Sequence, residues 1–149
     1  MAGCGEGIRL DRKEAGEWVT DNHESLLELS AMLEECDGEP TDEFNRIIAD
    51  GTAFTAHCSD YQVAIVKRLD RLGIPAVAYF PTSEAVTSGW TEFLLYSQGI
   101  VTSGESISVT HHSEPTDCKN EKTREEGYTF SRGPLFDGRC DWIFTSEEH

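Results

Sequence analysis

Helical spacing fills the first half of this chain and strand-like patterning the second, and that order restricts the fold more than any other feature. From Asp11 onward, Trp18, Asn22, Leu26, Leu29 and Leu33 recur on one stripe with glutamates opposite, which predicts one amphipathic helix. Asp37-Gly38-Glu39-Pro40 stops it. Thr41 is placed to cap a second, shorter helix with Phe44, Ile47 and Ile48 on its buried face, ended by Asp50-Gly51. A third helix runs from His57 or Cys58 to Leu72, and Val63, Ile65, Val66, Leu69 and Leu72 give it a wide apolar face. Gly73 closes it and Pro75 prevents continuation.

Strands follow. Ala76 to Phe80 is the first, ending at Pro81, and Thr82 to Gly89 reads as a polar loop. Trp90 to Tyr96 is a second strand, with Gln98-Gly99 as a turn into Ile100-Val101, and Ile107 to Val109 a third. His111 to Gly127 is charged and polar, so a long exposed loop is expected there. Tyr128 to Phe130 and Trp142 to Phe144 are the last strands, linked through Gly133-Pro134 and Asp137-Gly138 turns. Residues 1–10 read as a loose tail. Helices first and strands later give an α+β class: N-terminal helices on a mostly antiparallel sheet, in one domain of 149 residues.

Charge narrows the setting. Twenty-eight acidic residues against 12 basic leave a net charge of -16, on a chain whose apolar content is only 38%. Such self-repulsion opposes compaction in dilute buffer and keeps the chain soluble in concentrated salt. The cations include few lysines (Lys13, Lys67, Lys119 and Lys122), and acids run from Glu6 to Glu148 instead of gathering in one segment. The pattern fits solvation in a halophilic setting better than mimicry of a nucleic acid. No basic patch is available for phosphates, so direct nucleic-acid binding is not expected. No apolar run approaches a bilayer span, and Met1 to Leu10 lacks the hydrophobic segment of a secretory signal, so a cytoplasmic, membrane-free protein is expected.

Five cysteines, Cys4, Cys36, Cys58, Cys118 and Cys140, stand at irregular spacing. An odd count without an export signal argues against a disulfide framework. His111, His112, Cys118 and Cys140 are zinc-ligand types, but their spacing matches no standard finger, and the simpler expectation is an exposed loop with Cys140 packed beside Trp142.

One cysteine has the surroundings of a nucleophile. Cys58 falls where the third helix begins, where unpaired backbone N–H groups favour a thiolate. Ala56-His57-Cys58-Ser59-Asp60-Tyr61-Gln62, followed by Leu69 and Leu72-Gly73-Ile74-Pro75-Ala76, resembles the core of the transglutaminase-like cysteine enzymes. In that family a nucleophilic Cys opens a helix, an Asp and an aromatic follow, and a Leu-Gly-Ile-Pro-Ala turn leads into a strand. Trp90-Thr91-Glu92-Phe93, then Tyr96, Gly99 and Val101, is similar to the family's next strands. The likeness spans about Thr52 to Val101 and implies a papain-like core. A Cys-opened helix followed by a Gly-Ile turn also resembles the NlpC-type peptidases, which share the broad architecture.

The chain departs from the family at the imidazole. Ser88 stands where the resemblance implies the catalytic His, and Ser103, Gly104 and Glu105 stand near the place of its Asp. A thiol nucleophile needs an imidazole or similar proton carrier. His111 and His112, one strand further on, are the candidates, with Asp60, Tyr61 and Trp90 expected at the substrate. The resemblance thus implies a cysteine-dependent acyl transfer or amide hydrolysis through a thioester on a protein or peptide, without a cofactor. The other expectation is a domain that has lost catalysis and serves as a binding or structural protein.

Overall fold

The computed structural model describes residues 6–34, 47–50, 62–80, 90–100, 103–112 and 118–148. Among the described residues, three helices, α1 (Arg12–Asp21), α2 (His23–Glu34) and α3 (Gln62–Leu72), accompany a sheet in which every pairing is antiparallel. The strands are β1 (Glu6–Gly7), β2 (Ile47–Asp50), β3 (Ala76–Phe80), β4 (Trp90–Ile100), β5 (Ser103–His112), β6 (Glu121–Glu125), β7 (Tyr128–Pro134) and β8 (Trp142–Glu148). Their order across the sheet is β2-β3-β4-β5-β8-β7-β6, with β1 beside the far half of β4. The α+β class and the antiparallel sheet agree with the sequence.

The core lies where the helices meet one face of the sheet. Val19, Leu26, Leu29, Leu33, Ile65 and Leu69 pack with Val77, Phe93, Leu95, Val109, Trp142 and Phe144 in one buried cluster. Alternation explains the strand contributions: Thr91, Phe93 and Leu95 of β4 are all buried. Polar groups also join the layers. The buried hydroxyls of Ser30 on α2 and Thr91 on β4 share a hydrogen bond of 2.5 Å, and Arg68 of α3 pairs with Glu28 of α2 at 2.7 Å. Arg12 of α1 donates to Asn120 at 2.8 Å.

Several boundaries differ from expectation. The first helix is two helices. Asp11 and Glu14 form a reciprocal capping box at the start of α1, and Asn22 ends it, donating both its backbone N–H and its side-chain amide to the Trp18 carbonyl. Part of the expected tail is strand: Glu6 and Gly7 pair with Ser97 and Tyr96, and the Ile8 N–H donates to Leu95 at 2.7 Å. Gly7 has φ 97°, and a Cβ there would collide with the Leu95 carbonyl and stand 2.9 Å from Pro75. Ile47 and Ile48, expected on a second helix, belong to β2 against β3. Two β-branched residues in a short run fit either state, and the open edge of β3 decides it. In α3 the buried residues are Ile65, Leu69 and Leu72, while Val63 is 66% exposed.

The turn after α3 follows expectation. Gly73 takes φ 76°, and its N–H and that of Ile74 donate to the Leu69 carbonyl at 2.9 and 3.1 Å. Three residues later β3 begins. The Gly73 end of α3 lies by Ile8, which is bonded to Leu95, and β3 runs from there to the end of the sheet where Phe80, Trp90 and His112 stand in register.

The second half is more regular than expected. β4 continues through Gln98-Gly99 to Ile100, opposite Ser103, with a bulge between Leu94 and Tyr96. His111 and His112 belong to β5, not to a loop, and Glu121–Glu125 forms β6, exposed at every position. Gly133-Pro134 lies within β7, and the expected Asp137-Gly138 turn is present, with Gly138 at φ 74°. No helix among the described residues is long and apolar enough to cross a membrane.

Candidate functional site

Consecutive residues of a strand face opposite sides, so β5 presents its two histidines to different surroundings. His111 is opposite Thr91 on β4 and Trp142 on β8, both buried on the helix side. His112 is opposite Trp90 on the other side, and their rings stack with centroids 5.8 Å apart at 23°.

On the helix side an aromatic cluster surrounds Trp142. Its ring meets that of His111 at 4.6 Å and 48°, that of His23 from α2 at 6.2 Å, and that of Phe93 at 6.0 Å. Trp142 is fully buried, and its indole Nε1 has no hydrogen-bond partner among the described residues. Next to His111 is a cavity of about 140 Å³ bordered by Leu27, Ser30, Glu34, Trp90 and Thr91. A larger groove of about 610 Å³ lies between α1 and the turn before β8. Arg12, Lys13, Glu17, Asp21 and Asp137 line it with both signs of charge and no imidazole or thiol, so the smaller cavity carries more chemistry.

The electrostatics follow from burial. Desolvation lowers the pKa of His111; the Asp141 charge opposes this, while His23 and Arg139 add to it. Burial lowers His112 too, helped by Arg132 and His111. Asp141 is pushed up by burial, but its hydrogen bond from Arg139, its backbone and the charges of Arg139 and His111 outweigh this and hold it below the usual carboxylate range. Arg139 reaches both Asp141 oxygens, at 2.7 and 3.3 Å, and the Asp141 carbonyl accepts the His112 N–H at 2.8 Å.

Cys118 and Cys140 are joined in a disulfide with Cα atoms 5.4 Å apart. This corrects the expectation from the odd count: one pair forms although no framework spacing announces it. It also removes those two sulfurs from any metal set, and among the described residues no three His, Cys, Asp or Glu side chains stand together as ligands. The bond ties the segment entering β6 to the turn entering β8, directly before Asp141 and Trp142.

Of the residues singled out from sequence, Trp90, His111 and His112 come together at one end of the sheet. Cys58, Asp60, Tyr61 and Ser88 lie outside the described residues. The sequence reading missed His23, Asp141 and the central position of Trp142. Strand parity was the available signal, since extending β5 past Val109 puts His111 on the buried side.

No protein-family model, curated protein or solved structure matches the chain.

Proposed function

We propose that the chain is a transglutaminase-like cysteine enzyme in which Cys58 is the nucleophile and His111 the imidazole that serves it. The observation that carries this reading is the orientation of His111. It faces the helix layer at the end of the sheet where β3 finishes, whereas His112 faces the other side. The order α3, Gly-Ile-Pro turn, β3, β4, β5 supports the same reading, as it is the order the resemblance implies.

The chemistry is acyl transfer. The Cys58 thiolate attacks a carboxamide or peptide carbonyl, and backbone N–H groups at the helix start hold the oxyanion. His111, uncharged at rest, takes the Cys58 thiol proton as the sulfur attacks and passes it to the leaving amine, and a thioester remains. Water or a second amine then attacks the thioester, gives its proton to His111 and releases Cys58. Asp141 is placed to favour the imidazolium form during the first half. Neither half needs a cofactor.

A second reading is a domain of this type that has lost catalysis and binds a partner protein. Ser88, at the position where the resemblance implies an imidazole, favours it.

Alkylation separates the two. Iodoacetamide on the oxidised full chain near pH 7, followed by peptide mapping, is expected to modify Cys58 well ahead of Cys4 and Cys36, with a labelling midpoint below the ordinary thiol value of about 8.5. His111→Ala raises that midpoint. Labelling of Cys58 no faster than of Cys4 and Cys36 removes the enzyme reading and leaves the binding one.

A further inference from the structure

The disulfide and the imidazole cluster share one piece of backbone. Cys140 directly precedes Asp141, whose carbonyl holds the His112 N–H, and Trp142, whose carbonyl accepts from Leu135 at 2.9 Å. Cys118 follows His112 by six positions. The disulfide therefore fastens the turn that holds the end of β5, through Asp141 and His112, to the segment entering β6. Both half-cystines are partly exposed, which leaves the bond open to small thiols.

The turn that bears Cys140 has its own supports. Arg139 donates to the Phe136 carbonyl at 3.1 Å, lies 5.0 Å over the Phe136 ring and binds the Asp141 carboxylate. On the other side, Arg12 holds Asn120 beside Cys118. Each partner segment is thus anchored without the sulfurs, and opening the bond frees one from the other without removing those anchors.

We propose that the Cys118–Cys140 disulfide is a thiol-operated latch on the His111 end of the β5–β8 ladder. Its consequence for catalysis rests on the function proposed above, since His111 is the imidazole of that site. In the opening step a small thiolate attacks one sulfur, the S–S bond breaks and the other cysteine leaves as thiolate. A second small thiol resolves the mixed disulfide. Two electrons pass to the protein sulfurs, and the small thiols depart as their own disulfide. With the bond open, Asp141 and Trp142 are held less firmly over His111, and water reaches its imidazole.

The groups facing His111 define what the latch changes. His23 and Glu34 approach from α2, and Asp141 and Arg139 from the turn before β8, while Arg132 of β7 acts on neighbouring His112. The α2 groups are not tied by the bond and stay. Opening therefore moves the Asp141–Trp142 side, where hydration of His111 increases.

The test uses the full chain, oxidised and after dithiothreitol, with Cys118→Ser/Cys140→Ser as a second protein. Peptide mapping of the oxidised chain must find the Cys118–Cys140 crosslink, and its absence overturns the latch. The His111 ring titration is followed by NMR, and Trp142 by fluorescence. Reduction is expected to move the His111 midpoint up toward its ordinary value and to shift indole emission to the red, while the double variant shows the open values and ignores dithiothreitol. Superimposable titrations in oxidised and reduced wild type overturn the proposal. So does a response that persists in the double variant, which assigns it to Cys4, Cys36 or Cys58. Should reduction unfold the whole domain, the bond is a staple and the proposal also fails. None of these readouts uses activity, so a catalytically silent Cys58 leaves the result intact.

Discussion

His111 and Trp142 face each other across the β5–β8 ladder with ring centroids 4.6 Å apart, and the indole of the pair is buried with no hydrogen-bond partner for its N–H among the described residues. Leaving a donor in that state costs about 1–3 kcal/mol. Edge and face contacts to aromatic neighbours return about 0.5–1.5 kcal/mol each. His23, Phe93, His111 and Trp142 thus form a packed aromatic layer, and its stability depends on the His111 imidazole being uncharged.

That dependence sets a pH response. Both His111 and His112 have pKa values below the unfolded value of about 6.5. Between each folded value and 6.5 the unfolded chain binds more protons than the native one, so stability rises with pH there. The contribution is complete above about pH 6.5 and is lost as pH falls through 6.5 toward the folded values. In urea titrations between pH 7.5 and 5, the wild-type midpoint should fall on acidification, and His111→Phe should fall less. Equal slopes in the two proteins would show that the His111 imidazole does not resist protonation.

Gly7 offers a test of the β1 contact. Its φ of 97° and its closeness to Leu95 and Pro75 leave no room for a methyl group. Gly7→Ala should destabilise by about 1–3 kcal/mol, or by less if β1 detaches first. Hydrogen exchange distinguishes these routes. Detachment exposes the Ile8 amide, now bonded to Leu95, and loosens the Arg9–Glu105 pair at 3.0 Å, while the α2 amides remain protected. An Ile8 amide that exchanges at the wild-type rate in Gly7→Ala would contradict the close approach.

The charge of -16 predicts a salt response. At about 1 M salt the Debye length is near 3 Å, which screens repulsion between dispersed carboxylates and leaves close pairs such as Arg68–Glu28 in place. Thermal melts in KCl from low to molar concentration should show a rising midpoint. A flat or falling midpoint would mean that the acidic surface is not adapted to salt.

Much of the fold was legible in the sequence where two local signals agreed. Leu69, Leu72, Gly73 and Pro75 give an apolar face, a left-handed cap and a stop, and α3 with its turn into β3 follows. Where a single signal acted alone it failed. The stripe from Trp18 to Leu33 is continuous, yet Asn22 ends one helix inside it, because its own amide competes for the Trp18 carbonyl. Ile47 and Ile48 carry no period long enough to separate helix from strand. The polarity of Glu121–Glu125 suggested a loop, but β6 is an edge strand with no buried face, so its alternation is invisible. At the site, His111 and His112 could be named, but not their opposite orientations. Those depend on the length of β5. The Cys118–Cys140 bond depends on the ladder that brings β8 beside β5, which no spacing in the chain encodes.

The exposed border formed by β6 has one more property. Glu121, Lys122, Thr123, Arg124 and Glu125 carry the same signs read in either direction. A second copy laid antiparallel about Thr123 would oppose Glu121 to Glu125 and Lys122 to Arg124. Laid parallel in register, it would oppose each charge to itself. Like charges directly across a ladder repel, so both alignments are disfavoured. This palindrome lets the outermost strand keep its backbone groups in water without becoming a template for fibre growth.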